Sequence, residues 1–241
     1  MTAHYDPAKY TTARVELIAR QIVVRPDSDF RVSVPPGQGI YRLRLKRAFD
    51  LFLVCLSAPV SLAVVLLLAL VVLLQGGKPF YFQNRVGRGG RIFRLWKLRT
   101  MVPDAEARLE AHLAATPAAR AEWDHCQKLK EDPRITPFGR FLRKSSLDEL
   151  PQLWNVLRGD MSLVGPRPAP PREVDIYDPW HRRRLSMKPG LTGLWQVSSR
   201  LDEDFDERAS LDLHYIDRWS LLLDLKVLVR TVPALLRPTV H

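Results

Sequence analysis

Two adjacent carboxylates, Asp148 and Glu149, lie in a stretch that also carries Asp160 and four basic residues, Arg143, Lys144, Arg158 and Arg167. The stretch reads RKSSLDELPQLWNVLRGDMSLVGPRP from Arg143 to Pro168. Acids and arginines set around one apolar helical run suit chemistry on a phosphorylated substrate. A carboxylate beside a bound phosphate can hold Mg²⁺. It can also attack phosphorus, as in enzymes that form aspartyl phosphates. Gly165-Pro166-Arg167-Pro168 is a rigid turn that presents one guanidinium, whose planar fork matches phosphate oxygens. The same residues admit a structural use, because Ser146-Leu147-Asp148-Glu149 fits the S-x-x-E capping box. Pro151 would then fall in the second helical turn, where a proline is costly. The alternative is a helix that starts near Pro151 and leaves both acids just outside it. Leu150, Leu153, Trp154 and Leu157 would form its buried stripe, and Arg158-Gly159 its end.

Other elements must carry cations to these acids. Lys78 to Met101 reads KPFYFQNRVGRGGRIFRLWKLRTM. Tyr81-Phe82-Gln83 and Arg91 to Leu95 alternate like short strands, and Arg88-Gly89-Gly90 supplies a tight turn between them, so a hairpin is expected. Lys97 and Arg99, two apart, share one face of an extended segment and could hold a diphosphate. The competing reading is a basic face resting on anionic lipid headgroups.

Leu51 to Gly77 contains no charged residue and is long enough to span a bilayer as a helix. Pro59 falls in its first third, where it removes an N–H and clashes with the carbonyl of Cys55, so a kink is expected. Arg42, Arg44, Lys46 and Arg47 precede the run, and Lys78, Arg85, Arg88, Arg91, Arg94 and Lys97 follow it. Lys and Arg mark the cytoplasmic side of short loops. A helix broken at Pro59 that re-enters the same face satisfies both flanks; a kinked single span is the alternative.

The rest of the chain sets the context. Its 241 residues carry a net charge of +11, which favours anionic partners: nucleic acid, anionic lipid or phosphorylated small molecules. Cys55 and Cys126 form neither a disulfide framework nor a CxxC metal pair, as expected of a reducing compartment. Residues 1–40 read as an N-terminal extension with a short amphipathic helix at Thr11 to Val24 and a linker at Val34-Pro35-Pro36-Gly37, without a signal peptide. Asp104 to Lys130 is read as one or two surface helices. His181-Arg182-Arg183-Arg184 could meet lipid or grip a lipid phosphate. The acidic residues from Asp202 to Glu207 read as a solvated helix start. Trp219 to Leu236, interrupted by Asp224, Lys226 and Arg230, suits an amphipathic helix lying in a membrane interface.

The block SLDELPQLWNVLRGDMSLVGPRP, together with LKRAFDLFL, QNRVGRGGRIFRLWKLRTM and KPGLTGLWQVSSR, resembles the bacterial sugar transferases. These are the polyprenyl-phosphate hexose-1-phosphate transferases, or small monotopic phosphoglycosyl transferases. The likeness runs from about Arg44 to Pro238 and is strongest to the short exopolysaccharide-initiating members. It implies transfer of a sugar 1-phosphate from a UDP-sugar, galactose or glucose foremost, to undecaprenyl phosphate with release of UMP. Asp148 would be the nucleophile that forms a covalent phospho-sugar intermediate. Glu149 would bind Mg²⁺ beside it, Arg143 and Arg167 would clamp phosphate, and Lys97 would line the same pocket. The resemblance also implies a re-entrant helix broken at Pro59. This chain departs from the family's usual Ser-Pro there, with Ala58 before the proline and Ser57 one residue earlier.

The expected architecture is therefore α+β and mostly helical. It comprises an extension over 1–40, a re-entrant membrane helix with its basic flank over 41–77, and a cytoplasmic catalytic domain over 78–241. That domain would hold a small β element and C-terminal interfacial helices. The implied setting is the cytoplasmic face of a bacterial inner membrane, with membrane lipid and no nucleic acid as partner, homo-oligomerisation being left open. Two rivals remain: a direct polyprenyl-phosphate glycosyltransferase releasing UDP, and a membrane-tethered basic adaptor.

Overall fold

A computed structural model describes residues 41, 45–126, 129–198 and 205–235. The expected extension over 1–40, with its helix at Thr11 to Val24, lies outside the described residues, as does the acidic run 202–204.

Helix α1 (Lys46–Leu74) is the apolar stretch, and by length and composition it could cross a membrane. Pro59 does not interrupt it; the helix is continuous from end to end. One proline deletes one hydrogen bond, and the flanking turns keep theirs. Ser57 Oγ donates to Val54 O at 3.1 Å, and Ser61 Oγ to Ala58 O at 3.4 Å. Burial along α1 is confined to its two ends. Lys46, Asp50 and Val54 are buried at one end and Leu68, Ala69 and Val72 at the other, with no buried residue from 55 to 67.

The two ends meet the same domain. At the N-terminal end Lys46 Nζ lies 2.7 Å from Asp224 Oδ2 and donates to Val164 O. Asp50 accepts from Ser162 Oγ at 2.7 Å and from the Leu163 amide. Val54 joins the central core with Leu95, Val156, Val164, Tyr215 and Val227. The C-terminal end packs Leu68, Ala69 and Val72 on Leu98 and Leu142. The exposed middle carries Leu56, Val60, Leu62, Leu66 and Leu67.

The expected hairpin is present. Strand β1 (Phe80–Val86) pairs antiparallel with β2 (Ile92–Leu98) around a 3-10 turn at Arg88–Gly90. Gly89 and Gly90 take φ of 68° and 85°, the left-handed region that glycine enters without steric cost. Two surface helices follow, α2 (Ala105–Ala115) and α3 (Pro117–Cys126), as expected. Helix α4 (Pro137–Lys144) starts at Thr136, whose Oγ1 accepts the Gly139 amide at 2.8 Å.

The segment after α4 follows the second of the two alternatives. Ser146 makes no side-chain cap, Leu147–Glu149 form a 3-10 turn, and helix α5 (Gln152–Arg158) begins after Pro151. The expected apolar stripe is corrected. Trp154 is exposed, and the buried positions are Gln152, Asn155 and Val156, with Leu153 and Leu157 half-buried against the core. Starting the helix at Gln152 brings Asn155 inward because the side chain has hydrogen bonds to make there. Its Oδ1 accepts the Trp96 amide at 3.1 Å and its Nδ2 donates to Arg94 O at 2.7 Å. Asn155 thus extends the ladder of β2 as a one-residue strand would.

A parallel pair, β3 (Ser162–Val164) with β4 (Gly190–Thr192), was not anticipated; three-residue strands are too short to show alternation. Gly190 permits it, since a Cβ there would sit 2.1 Å from the Gly165 amide nitrogen. Short helices α6 (Pro171–Asp175) and α7 (Leu194–Val197) precede α8 (Phe205–Arg218) and α9 (Leu221–Leu235). Helix α9 is amphipathic as expected. It buries Asp224 and Val227 and exposes Leu222, Leu225, Val229 and Val232. Buried Tyr215 joins α8 to α9 through Asp224 Oδ1 at 2.5 Å, and Tyr41 also donates to Asp224. The molecule is mostly helical with small sheets.

Candidate active site

Three local devices bring the expected residues together. The hairpin register places Arg85 opposite Phe93, Gln83 opposite Leu95 and Tyr81 opposite Lys97. Residues paired across an antiparallel ladder share a face, so Arg85 and Lys97 project from one side of the hairpin. The 3-10 turn presents Asp148 and Glu149 to that side. The turn around Arg167 is tied down because Val86 N donates to Ala169 O at 2.9 Å.

Lys97 is the centre. Its Nζ lies 2.8 Å from Glu149 Oε1 and 3.7 Å from Asp148 Oδ2. Arg167 approaches the same Glu149 oxygen at 3.7 Å. These groups border a narrow cleft that is lined by Arg85, Lys97, Glu149, Arg167, Gln152 and Gln196 among others. Asp148 is 7% exposed and is not among the residues lining this cleft; it stands behind Lys97, 3.7 Å from its ammonium. Arg143 Nε donates to Thr100 Oγ1 at 2.9 Å, and its charge acts on Asp148.

The two acids are driven in opposite directions. Burial pushes the Asp148 carboxyl above the usual aspartate range, and the Glu149 charge adds to this, while Lys97 and Arg143 oppose it. Burial also works against Glu149, but Lys97, Arg167 and Arg85 outweigh it and leave Glu149 below the usual glutamate range. Burial likewise lowers Arg143, against Asp148 and Asp132. Burial and the neighbouring Arg167 bring Arg85 down to about 10.

Several expectations are corrected. Arg99 does not join Lys97; β2 ends at Leu98, and Arg99 Nε donates to Lys78 O. Asp160 and Arg158 pair with each other at 3.5 Å outside the cleft, and Lys144 is exposed. The basic knot is not a lipid grip at Arg184. That residue is buried and bound to Asp212 at 2.9 Å and to Tyr177 at 2.6 Å. Arg183 pairs with Asp217.

Sequence reasoning missed Arg85 as a site residue, and missed Gln152. It also missed the contact of Trp195 with two guanidiniums, Arg167 at 6.0 Å and Arg208 at 5.7 Å from its ring. Counting the hairpin register outward from Arg88-Gly89-Gly90 would have put Arg85 on the face of Lys97.

A metal can be tested against these donors. Asp148 and Glu149 are hard oxygen ligands that share one cation, the Lys97 ammonium. No group of three metal-ligating side chains occurs among the described residues. Mg²⁺ is commonly held by one or two carboxylates, with water and substrate phosphates completing its shell. The pair fits that mode.

Comparison with known proteins shows which family the chain resembles. The model of a family described as bacterial sugar transferase matches residues 41–238. The chain is 48% identical to a UDP-galactose-lipid carrier transferase of Erwinia amylovora over 80% of its own length, but spans 40% of that protein. It is 44% identical to the exopolysaccharide production protein ExoY of Sinorhizobium fredii, over 78% of this chain and 84% of ExoY. It is 39% identical to a UDP-glucose:undecaprenyl-phosphate glucose-1-phosphate transferase of Caulobacter vibrioides, over 85% of this chain and 76% of that protein.

Proposed function

Because the chain belongs to the bacterial sugar transferase family, we propose that it moves a hexose 1-phosphate from a UDP-sugar to undecaprenyl phosphate, releasing UMP and starting a polysaccharide. Relatives named for UDP-galactose and UDP-glucose favour those two donors. The observation that carries the reading is Lys97 held between Asp148 and Glu149 beside an arginine-bordered cleft.

In this reading an Asp148 oxygen attacks the phosphorus nearest the sugar. A P–O bond forms and the bond to the UMP phosphate breaks, leaving an aspartyl phospho-sugar. An oxygen of undecaprenyl phosphate then attacks the same phosphorus. The Asp148 carboxylate is regenerated, and the product is a lipid diphosphate bearing the sugar. Lys97 opposes the burial that favours the protonated form of Asp148 and, with Arg167, balances charge on the transferring group. Arg143 supports Asp148 from α4. Asp148 and Glu149 would hold Mg²⁺, which would supply charge neutralisation on the phosphoryl oxygens.

The burial pattern of α1 supports a membrane placement. A straight helix advances about 1.5 Å per residue, so Val54 and Leu68 would be about 21 Å apart along it. Both nevertheless pack on the same domain, while the apolar stretch between them is bare. A re-entrant helix that bends at Pro59 without losing its helical continuity and dips into one leaflet, with the apolar side of α9 lying in the interface, accounts for this. It seats the cleft at the cytoplasmic headgroup level, where a polyprenyl phosphate presents its phosphate and a soluble nucleotide sugar can also reach.

The test is nucleotide release. Purified protein with Mg²⁺ and undecaprenyl phosphate is offered a panel of UDP-sugars, and UMP is separated from UDP. UMP from one sugar, lost in Asp148→Asn, supports the reading and names the donor. UDP release would replace it with direct glycosyl transfer. No release from folded protein would favour a basic membrane adaptor.

A further inference from the structure

Arg85 is half-buried at the cleft and lacks a carboxylate at ion-pair distance among the described residues. Its Nη1 donates to Pro168 O at 3.2 Å and its Nη2 to Gln83 Oε1 at 2.8 Å, both neutral acceptors. Its Nε is sealed from solvent with no partner. A buried guanidinium that meets no anion is costly, and a sealed N–H without an acceptor adds to the cost. Arg167 and Arg172 repel it further. Glu173 and Glu149 attract it, but Glu173 is already engaged by Arg184 and Tyr177, and Lys97 and Arg167 share Glu149. The charged side chains lining the cleft are three cations, Arg85, Lys97 and Arg167, against Glu149 alone. Counting Asp148, which stands 3.7 Å from Lys97, the cations outnumber the acids by one, and the surplus suits an anionic ligand. The hairpin register turns Arg85 toward the cleft and away from the lipid-facing role that its place in a basic segment suggests.

We propose that Arg85 is a substrate-binding residue whose guanidinium donates to a phosphate oxygen, held in position by Gln83 and the Pro168 carbonyl. The assignment rests on the transfer reading for the identity of the phosphate, which belongs either to the nucleotide donor or to the lipid acceptor. Charge-assisted bonds from arginine to phosphate are the strong ones. Lysine in the same place keeps the charge but has no planar fork to aim.

The test uses the full-length protein in detergent with Arg85→Lys and Arg85→Ala. Affinity for inorganic phosphate and for UDP is measured by titration calorimetry, without turnover. UMP release is then followed with a UDP-sugar alone, as a burst, and again with undecaprenyl phosphate. Arg85→Lys is expected to weaken phosphate binding and the affected step by about 10- to 100-fold. Arg85→Ala is expected to recover part of the loss when methylguanidine is added. A lost burst assigns the donor phosphate. An intact burst with slowed lipid-dependent turnover assigns the acceptor phosphate. Folded variants that keep phosphate affinity and both steps would overturn the proposal. So would a loss that tracks a lowered melting temperature and resists methylguanidine, which would make Arg85 only a tie between Gln83 and Pro168. A wild type that binds phosphate but releases no nucleotide would sink the transfer reading alone, and the phosphate titration of Arg85→Lys would still decide the role of Arg85.

Discussion

The Lys97 ammonium stands 2.8 Å from Glu149 and 3.7 Å from Asp148, so one cation from a β-hairpin serves two acids from a 3-10 turn. After burial, Lys97 is the largest influence on Asp148. Lys97→Met should therefore cut UMP release by about 100-fold, the scale of losing one aimed charge at a reacting group. It should also move the acidic limb of the pH–rate profile to higher pH, since Asp148 would hold its proton longer. A rate that falls with the limb unmoved would mean that Asp148 ionisation does not govern the step.

The adjacent acids should affect stability with opposite sign. Folded Asp148 binds its proton more tightly than the unfolded chain does. Its contribution is full below the unfolded value, about pH 4, and is lost as pH rises through the folded value. At pH 7 the ionised group costs stability, so Asp148→Asn should melt higher than wild type there, and the gap should vanish in acid. Glu149 is depressed, so it contributes above its unfolded value and the contribution is lost as pH falls through its folded value. Glu149→Gln should melt lower at pH 7. Melting curves against pH in a metal-free buffer check both, and equal shifts for the two variants would contradict the assignment.

Asn155 fixes the distance between the two halves of the site. It bonds the backbone of Arg94 and Trp96, next to Lys97, from a helix that begins three residues after Glu149. Asn155→Ala leaves a buried amide and carbonyl without partners and should cost about 3 kcal/mol. Activity should fall more than the folded fraction does, because Lys97 and Glu149 lose their common frame. Chemical denaturation beside specific activity separates the two effects.

Ala48 and Gln75 flank the bare centre of α1 and are both exposed. With Cys55 and Cys126 replaced by serine, single cysteines at 48 and 75 should both react with an impermeant thiol reagent in inside-out vesicles. Neither should react in right-side-out vesicles or whole spheroplasts. Labelling of the two from opposite sides would establish a spanning helix.

Much of this was legible in the residues. The α1 stretch, the hairpin around Arg88-Gly89-Gly90, the end of α5 at Gly159 and the amphipathic α9 depend on local rules: hydropathy, turn chemistry and periodicity. The grouping of Glu149 with Arg167 was legible because both lie within one short stretch, and they stand 3.7 Å apart. The choice between a capping box and a start after Pro151 was open locally. It was decided by Asn155, which completes the ladder of a strand some sixty residues earlier.

By itself the sequence determined the family, the apolar helix and the identity of the acid pair, because each is written in contiguous residues. Lys97 and Arg167 were expected from the resemblance, and tertiary structure alone decided that Arg85 joins them at the cleft and how far each cation stands from the acids. Lys97 and Arg85 enter through strand register, whereas Arg99, Arg158 and Arg184 are taken by other partners. It also decided that both ends of α1 rest on one domain. The physical reason is the same in each case. A long charged side chain or an apolar helix face has several partners of equal chemistry along the chain, and only packing across distant segments brings one of them within reach.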